Sequence, residues 1–253
     1  MTSNEPCATV PSCVKILMLH GHGQSGQFFR CKTQFMHQAI RQVVLKALQE
    51  NPRRGQVDTV EFHYPSGILP ANPDHPRGES NDMWAWGNGD PELDIIRGLE
   101  QSIQYIFRLL EQHGPFIGVM GFSTGAALAA IIASLLEKEK PVYGFQFDTF
   151  HPPLEFVISF SGFKLENPDY KHIYSPKIKT PILHIIGTLD TMVSTSQSLR
   201  LRKSCANASL HSFHGTHYVP RTRHFLKALA QFVEETLGSE GYNEGDWEDC
   251  DED

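Results

Sequence analysis

A serine stands between two glycines in "GVMGFSTGAALAA", residues 118–130. The hydroxyl of Ser123 is a weak nucleophile, and it attacks a carbonyl only when a base takes its proton and an acid orients that base. Both residue types follow downstream, Asp190 in "PILHIIGTLDTMV" and His217 in "SLHSFHGTHYVP". Attack also places negative charge on the carbonyl oxygen, which two preorganised N–H donors must meet. The residue after the serine, Thr124, offers one, and His22 in "LHGHGQSG" (19–26), between Gly21 and Gly23, offers the other. The G-x-S-x-G pattern alone arises by chance in roughly one chain of this length in ten at average glycine and serine usage. Its weight therefore comes from the set, in the order serine, aspartate, histidine.

Each member has a rival. Ser123 can be read as a small residue in a crowded bend. His214 lies beside the same turn as His217 and is expected to finish the strand, whereas His217 lies beyond Gly215. Asp148 falls in an insertion and Asp169 in a loop ahead of a strand, while Asp190 follows its strand directly. The glycines near His22 lack the G-K-[ST] of a phosphate loop and the spacing of a dinucleotide fingerprint. No C-x-x-C pair suggests zinc, and a nucleotide cofactor is discounted.

Such a set needs rigid strands ending at one edge. "VKILMLHG" (14–21) reads as a strand buried on both faces. A helix is expected over 33–50, where Phe35, Ile40, Val43, Val44 and Leu48 form a stripe. "TVEFHYP" (59–65) reads as a strand, 91–114 as a helix opened by proline and acid, and "FIGVMG" (116–121) as the strand entering the serine turn. Strands at 156–162, 181–187 and 209–215 alternate with helices after Ser123, near 195–205 and at 221–237. Alternation of this kind predicts a mostly parallel sheet with helices on both faces. Residues 66–90 and 138–155 interrupt it as insertions; Trp84 and Trp86 in the first either line a pocket or pin the loop to the body.

At 253 residues, with 40% apolar and 20% charged residues, the chain is long enough for one α/β domain over 14–237, with a short N-terminal segment 1–13 and an acidic tail 238–253. A net charge of −7 argues against nucleic acid as a partner, and no apolar run is long enough for a membrane span. Five scattered cysteines fit reduced thiols, and the polar, proline-punctuated start lacks a signal pattern, so a cytoplasmic location is expected.

With "LHGHGQSGQFF", "GFSTGA", "GTLDTMV" and "HGTHYVP" in register, the chain resembles the family of serine hydrolases, small fungal and animal proteins of the α/β-hydrolase fold. The similarity runs from about Val14 to Leu237. It implies that Ser123, Asp190 and His217 form a triad, that His22 and Thr124 serve the oxyanion, and that Trp84 and Trp86 contribute to an acyl pocket. The implied activity is hydrolysis of a small-molecule carboxylic ester or acyl thioester, with an acyl carrier domain of a polyketide synthase as a further partner in some fungal members. Thr124 departs from the glutamine of many members. The alternative is a ligand-binding protein that keeps the fold with little turnover.

Overall fold

Apolar residues at alternating positions of Cys13–Leu19 (β1) supply both faces of a sheet: Leu17 and Leu19 enter one core, Ile16 and Met18 the other. The computed structural model describes residues 12–51, 57–72, 74, 82–90, 95–138 and 149–238. After β1 come helices Gly26–Thr33 (α1) and His37–Glu50 (α2), then strand Thr59–His63 (β2). Four short strands follow: Leu69–Pro70 (β3), Trp84–Ala85 (β4), Asn88–Asp90 (β5) and Ile95–Arg97 (β6). Helix Leu99–His113 (α3), strand Phe116–Phe122 (β7) and helix Thr124–Leu136 (α4) lead to strand Phe156–Phe160 (β8). Strand Ile182–Gly187 (β9), helix Thr195–Lys203 (α5), strand Ala208–Phe213 (β10) and helix Arg223–Gly238 (α6) close the described chain.

Six strands form a parallel sheet in the order β10-β9-β8-β7-β1-β2. From β1 the chain builds outward to β2, then returns to β7 and builds the other way. In an open parallel sheet such a reversal leaves a crevice beyond the carboxyl ends of the two strands. Here those strands are β1, which runs into the His22 loop, and β7, which runs into Ser123. Apolar residues of α2 and α6 cover one face and those of α3 and α4, with Leu201 of α5, the other. This is the α/β-hydrolase architecture. No helix among the described residues is long and apolar enough to cross a membrane.

The structure adds two local features to the sequence reading and corrects one. The glycine-rich stretch after β1 carries a helix, α1, because the Ser25 hydroxyl accepts the Phe28 N–H and caps it. The helix expected from 91 begins at Leu99, since the β-branched pair Ile95–Ile96 lies in β6 and joins β5 in an antiparallel pair. The 66–90 insertion is in part a small hairpin, β3 with β4. Most of 1–13 and of 138–155, including Asp148, and nearly all of the acidic tail lie outside the described residues.

Candidate active site

Every residue of β7 is buried, and the chain leaves it through Ser123 at φ 55°, a left-handed conformation unusual for a side-chain-bearing residue. Two glycines permit the turn. A β-carbon at Gly121 would overlap the Gly125 carbonyl, and one at Gly125 would overlap the carbonyls of Leu19 and His20. The helix after the serine can therefore pack directly on the end of β1. The Ser123 N–H donates to the Phe160 carbonyl at 2.8 Å, which ties the turn to β8. Strain of this kind, held by its surroundings, is a mark of functional positions.

Asp190 and His217 come from two adjacent loops stitched together. Thr188 N–H donates to the Phe213 carbonyl and Leu189 N–H to the Gly215 carbonyl, both at 2.9 Å, so the turn after β9 rides on the segment after β10. Asp190 Oδ1 accepts the N–H groups of Met192 and Val193 at 2.9 Å each, and Oδ2 meets His217 Nδ1 at 2.7 Å. Burial pushes the Asp190 carboxyl up, but the Val193 N–H, the His217 ring and the Ser161 hydroxyl outweigh it and hold it below the usual carboxylate value. An ionised carboxylate only accepts, so the proton lies on His217 Nδ1 and Nε2 presents a lone pair. The imidazole packs 4.7 Å, centroid to centroid, from Phe122, the residue before Ser123. His214 is exposed after β10, and Asp169 is exposed in a 3-10 turn. Neither joins the pair.

The His22 loop is held by its neighbours. Gly23, at φ 68°, donates to the Trp84 carbonyl at 3.0 Å, and Trp84 N–H donates to the Gln24 carbonyl at 2.9 Å. Among the described residues the His22 N–H has no partner. Thr124, as the first residue of α4, has no helical carbonyl to reach. The Thr124 N–H thus lies directly after the serine at the positive end of the α4 dipole, and the His22 N–H is left free in the loop after β1.

The tryptophans differ. Trp86 is 2% exposed, donates from Nε1 to the His20 carbonyl at 2.8 Å and packs on the His20 ring. These contacts fit the second of the two roles the sequence allows for Trp86, pinning the insertion to the body. Trp84 is partly exposed, with Nε1 donating to Asp82 Oδ1 at 2.9 Å. Sequence reasoning missed His20 and Ser161. His20 is buried, its Nδ1 donates to the Gly21 carbonyl, and its Nε2 accepts the Gly67 N–H at 2.8 Å. Burial lowers its pKa to about 4 and keeps it neutral for both bonds. Ser161, buried at φ 48° just past β8, stands beside Asp190. Its only sequence signal was a polar residue at a strand end. Among the described residues no group of three or more His, Cys, Asp or Glu could hold a metal ion.

Phe150 and Leu210 apart, the exposed large apolar side chains among the described residues lie in or beside these segments. Among the described residues, Phe28, Met83, Leu189, Met192 and Tyr218 are exposed, and each lies in or beside a segment that carries the pair, the serine or the loop.

Comparison with known proteins gives the same direction. A family model described as Serine hydrolase (FSH1) matches residues 9–229. Family of serine hydrolases 2 of Saccharomyces cerevisiae is 30% identical over 226 residues, covering 87% of this chain and 97% of that protein. Esterase OVCA2 of Xenopus tropicalis is 27% identical over 246 residues, covering 92% and 97%. A Schizosaccharomyces pombe protein named dihydrofolate reductase is 29% identical over 234 residues; 87% of this chain matches 47% of it, so the chain spans about half the length of that relative. Among solved structures, acyl-protein thioesterase 2 of Zea mays superposes with a TM-score of 0.58 at 19% identity, covering 91% of this chain and 96% of that one.

Proposed function

The chain belongs to the serine hydrolase (FSH1) family, and from that premise we propose that it hydrolyses carboxylic esters and acyl thioesters through an acyl-enzyme on Ser123. The observation that carries this reading is the 2.7 Å bond from His217 Nδ1 to Asp190, with the His217 ring 4.7 Å from the ring of Phe122, the residue before the strained Ser123 turn. Nε2 takes the hydroxyl proton as Oγ attacks the carbonyl carbon. The N–H groups of His22 and Thr124 receive the oxyanion. Collapse expels the alcohol or thiol, which leaves with the proton from the imidazolium. Water then attacks the acyl-enzyme with the same histidine as base, and the carboxylic acid departs.

The exposed apolar side chains beside these segments support an acyl group of some length, with Trp84 on the pocket wall. Release of a polyketide acyl chain from a synthase carrier is the narrower form of this reading, suggested by the resemblance to the fungal members. The test is steady-state hydrolysis of p-nitrophenyl and pantetheine esters of graded acyl length by the wild type and by Ser123→Ala. Turnover by the wild type with a loss of several decades in the variant is expected. A folded wild type without turnover on any acyl length would favour the ligand-binding alternative.

A further inference from the structure

The chain carries a net charge of −7, yet residues 6–49 and 191–233 contain none of its 29 Asp and Glu and half of its 22 Lys and Arg. These are the stretches that hold the His22 loop and His217. The fold brings them together: α2 packs on α6, Arg221 Nη2 donates to the Lys32 carbonyl at 3.5 Å, and the Arg221 guanidinium lies 5.1 Å from the Phe35 ring centre. Lys32 Nζ lies 4.6 Å from the ring centre of Phe28, in the first turn of α1, whose cap Ser25 ends the loop after β1.

The result is an exposed basic strip: Lys32 and Arg221 lie side by side, and Arg30 and Arg223, each two residues away along the chain, are exposed as well. Arg221 lies four residues beyond His217, at most about 14 Å of chain. Among the described residues none of the four makes an ion pair, whereas Lys46 and Arg200 of the same stretches are matched by Glu234 and Glu166. The acidic side chain that does approach the loop, Asp82, is engaged by Trp84 Nε1. Helix electrostatics account for only half of the strip. Arg30 and Lys32 lie in the last turn of α1, where cations are favoured, but Arg221 and Arg223 precede and begin α6, where the dipole opposes them. Arg221 is held there by the Lys32 carbonyl and the Phe35 ring, and the charge left exposed at this helix end is open to an anion from solvent.

We propose that this strip is a subsite for phosphate on the leaving group, so that acyl thioesters of a phosphorylated pantetheine thiol, such as coenzyme A, are preferred substrates. The inference rests on the hydrolase reading above. The acyl group would enter past the exposed apolar side chains, the thioester carbon would meet Ser123, and the pantetheine arm would carry the phosphates outward along the strip. Water and the thioester yield acid and free thiol, as for any ester.

The test compares decanoyl-coenzyme A with decanoyl-pantetheine, which share the acyl chain and the bond broken and differ in the phosphates. At low salt the wild type should show a kcat/KM at least ten-fold higher for the coenzyme A thioester. The preference should shrink to a few-fold in 0.3 M sodium chloride, where the screening length falls to about 6 Å. In Lys32→Glu/Arg221→Glu, shown folded by circular dichroism, the ratio should fall to about one; if that variant does not fold, Lys32→Gln/Arg221→Gln should still lower it several-fold. Equal kcat/KM for both thioesters in the wild type overturns the subsite, as does a preference that survives in the folded variants. Absence of turnover on decanoyl-pantetheine as well would instead overturn the hydrolase reading on which it rests.

Discussion

Asp190 is held by backbone N–H groups, the imidazole of His217 and the Ser161 hydroxyl, and their removal has separable consequences. Ser161→Ala removes a donor that favours the charged carboxylate, so the Asp190 pKa rises and the carboxylate accepts more strongly from His217. The acid limb of the kcat/KM profile should therefore move to higher pH, with the fold retained; a profile measured between pH 4 and 8 that does not move, or moves down, contradicts this role. His217→Gln should lower kcat by several decades, because triad members act as a unit, while exposed His214→Ala should change it by a few-fold at most. Kinetics on both variants check the assignment. Of these residues the sequence made Ser123, Asp190 and His217 legible, because each follows a strand in a recognisable pattern. Ser161 and His20 were not legible, because what marks them is a lateral contact made across strands.

At the scale of elements, the close approach of α4 to β1 is what lifts Ser123 into place. Gly125→Ala would drive a methyl group into the carbonyls of Leu19 and His20. It should cost at least a hundred-fold in kcat together with a lower melting temperature, read by turnover and thermal unfolding. On the proposed reading the two tryptophans separate anchor from wall. Trp86→Phe loses the bond to the His20 carbonyl and should lower the melting temperature and reduce turnover equally for all acyl lengths. Trp84→Ala should reduce kcat/KM selectively for long acyl chains; an acyl-length series on both variants distinguishes the roles. The inner strands β1, β7, β8 and β9 were readable because burial on both faces leaves largely apolar runs, while the partly exposed edge strands β2 and β10 were readable from alternation and from their place in the strand–helix rhythm. Elements decided by short-range capping or pairing were not: α1 hid in a glycine-rich stretch whose decisive feature is the Ser25 cap, and β6 lay within what looked like the first turn of a helix.

Across the whole molecule, buried neutral histidines couple stability to pH. His20 and His184 are lowered by burial from 6.5 to about 4, so the unfolded chain takes up protons that the folded one refuses. Stability should therefore fall as the pH drops from about 6.5 to 4, and a urea midpoint followed over that window should decline less steeply in His184→Leu than in the wild type. Assembly of the site is likewise a property of the whole sheet, since its parts come from the ends of β1, β7, β8, β9 and β10. The measurement that tests the central claim most directly is intact mass after reaction with a fluorophosphonate, with peptide mapping of the adduct. A single adduct on Ser123 is expected, absent in Ser123→Ala and formed orders of magnitude more slowly in His217→Gln. An adduct that persists in Ser123→Ala, or a folded wild type that forms none, would contradict the account.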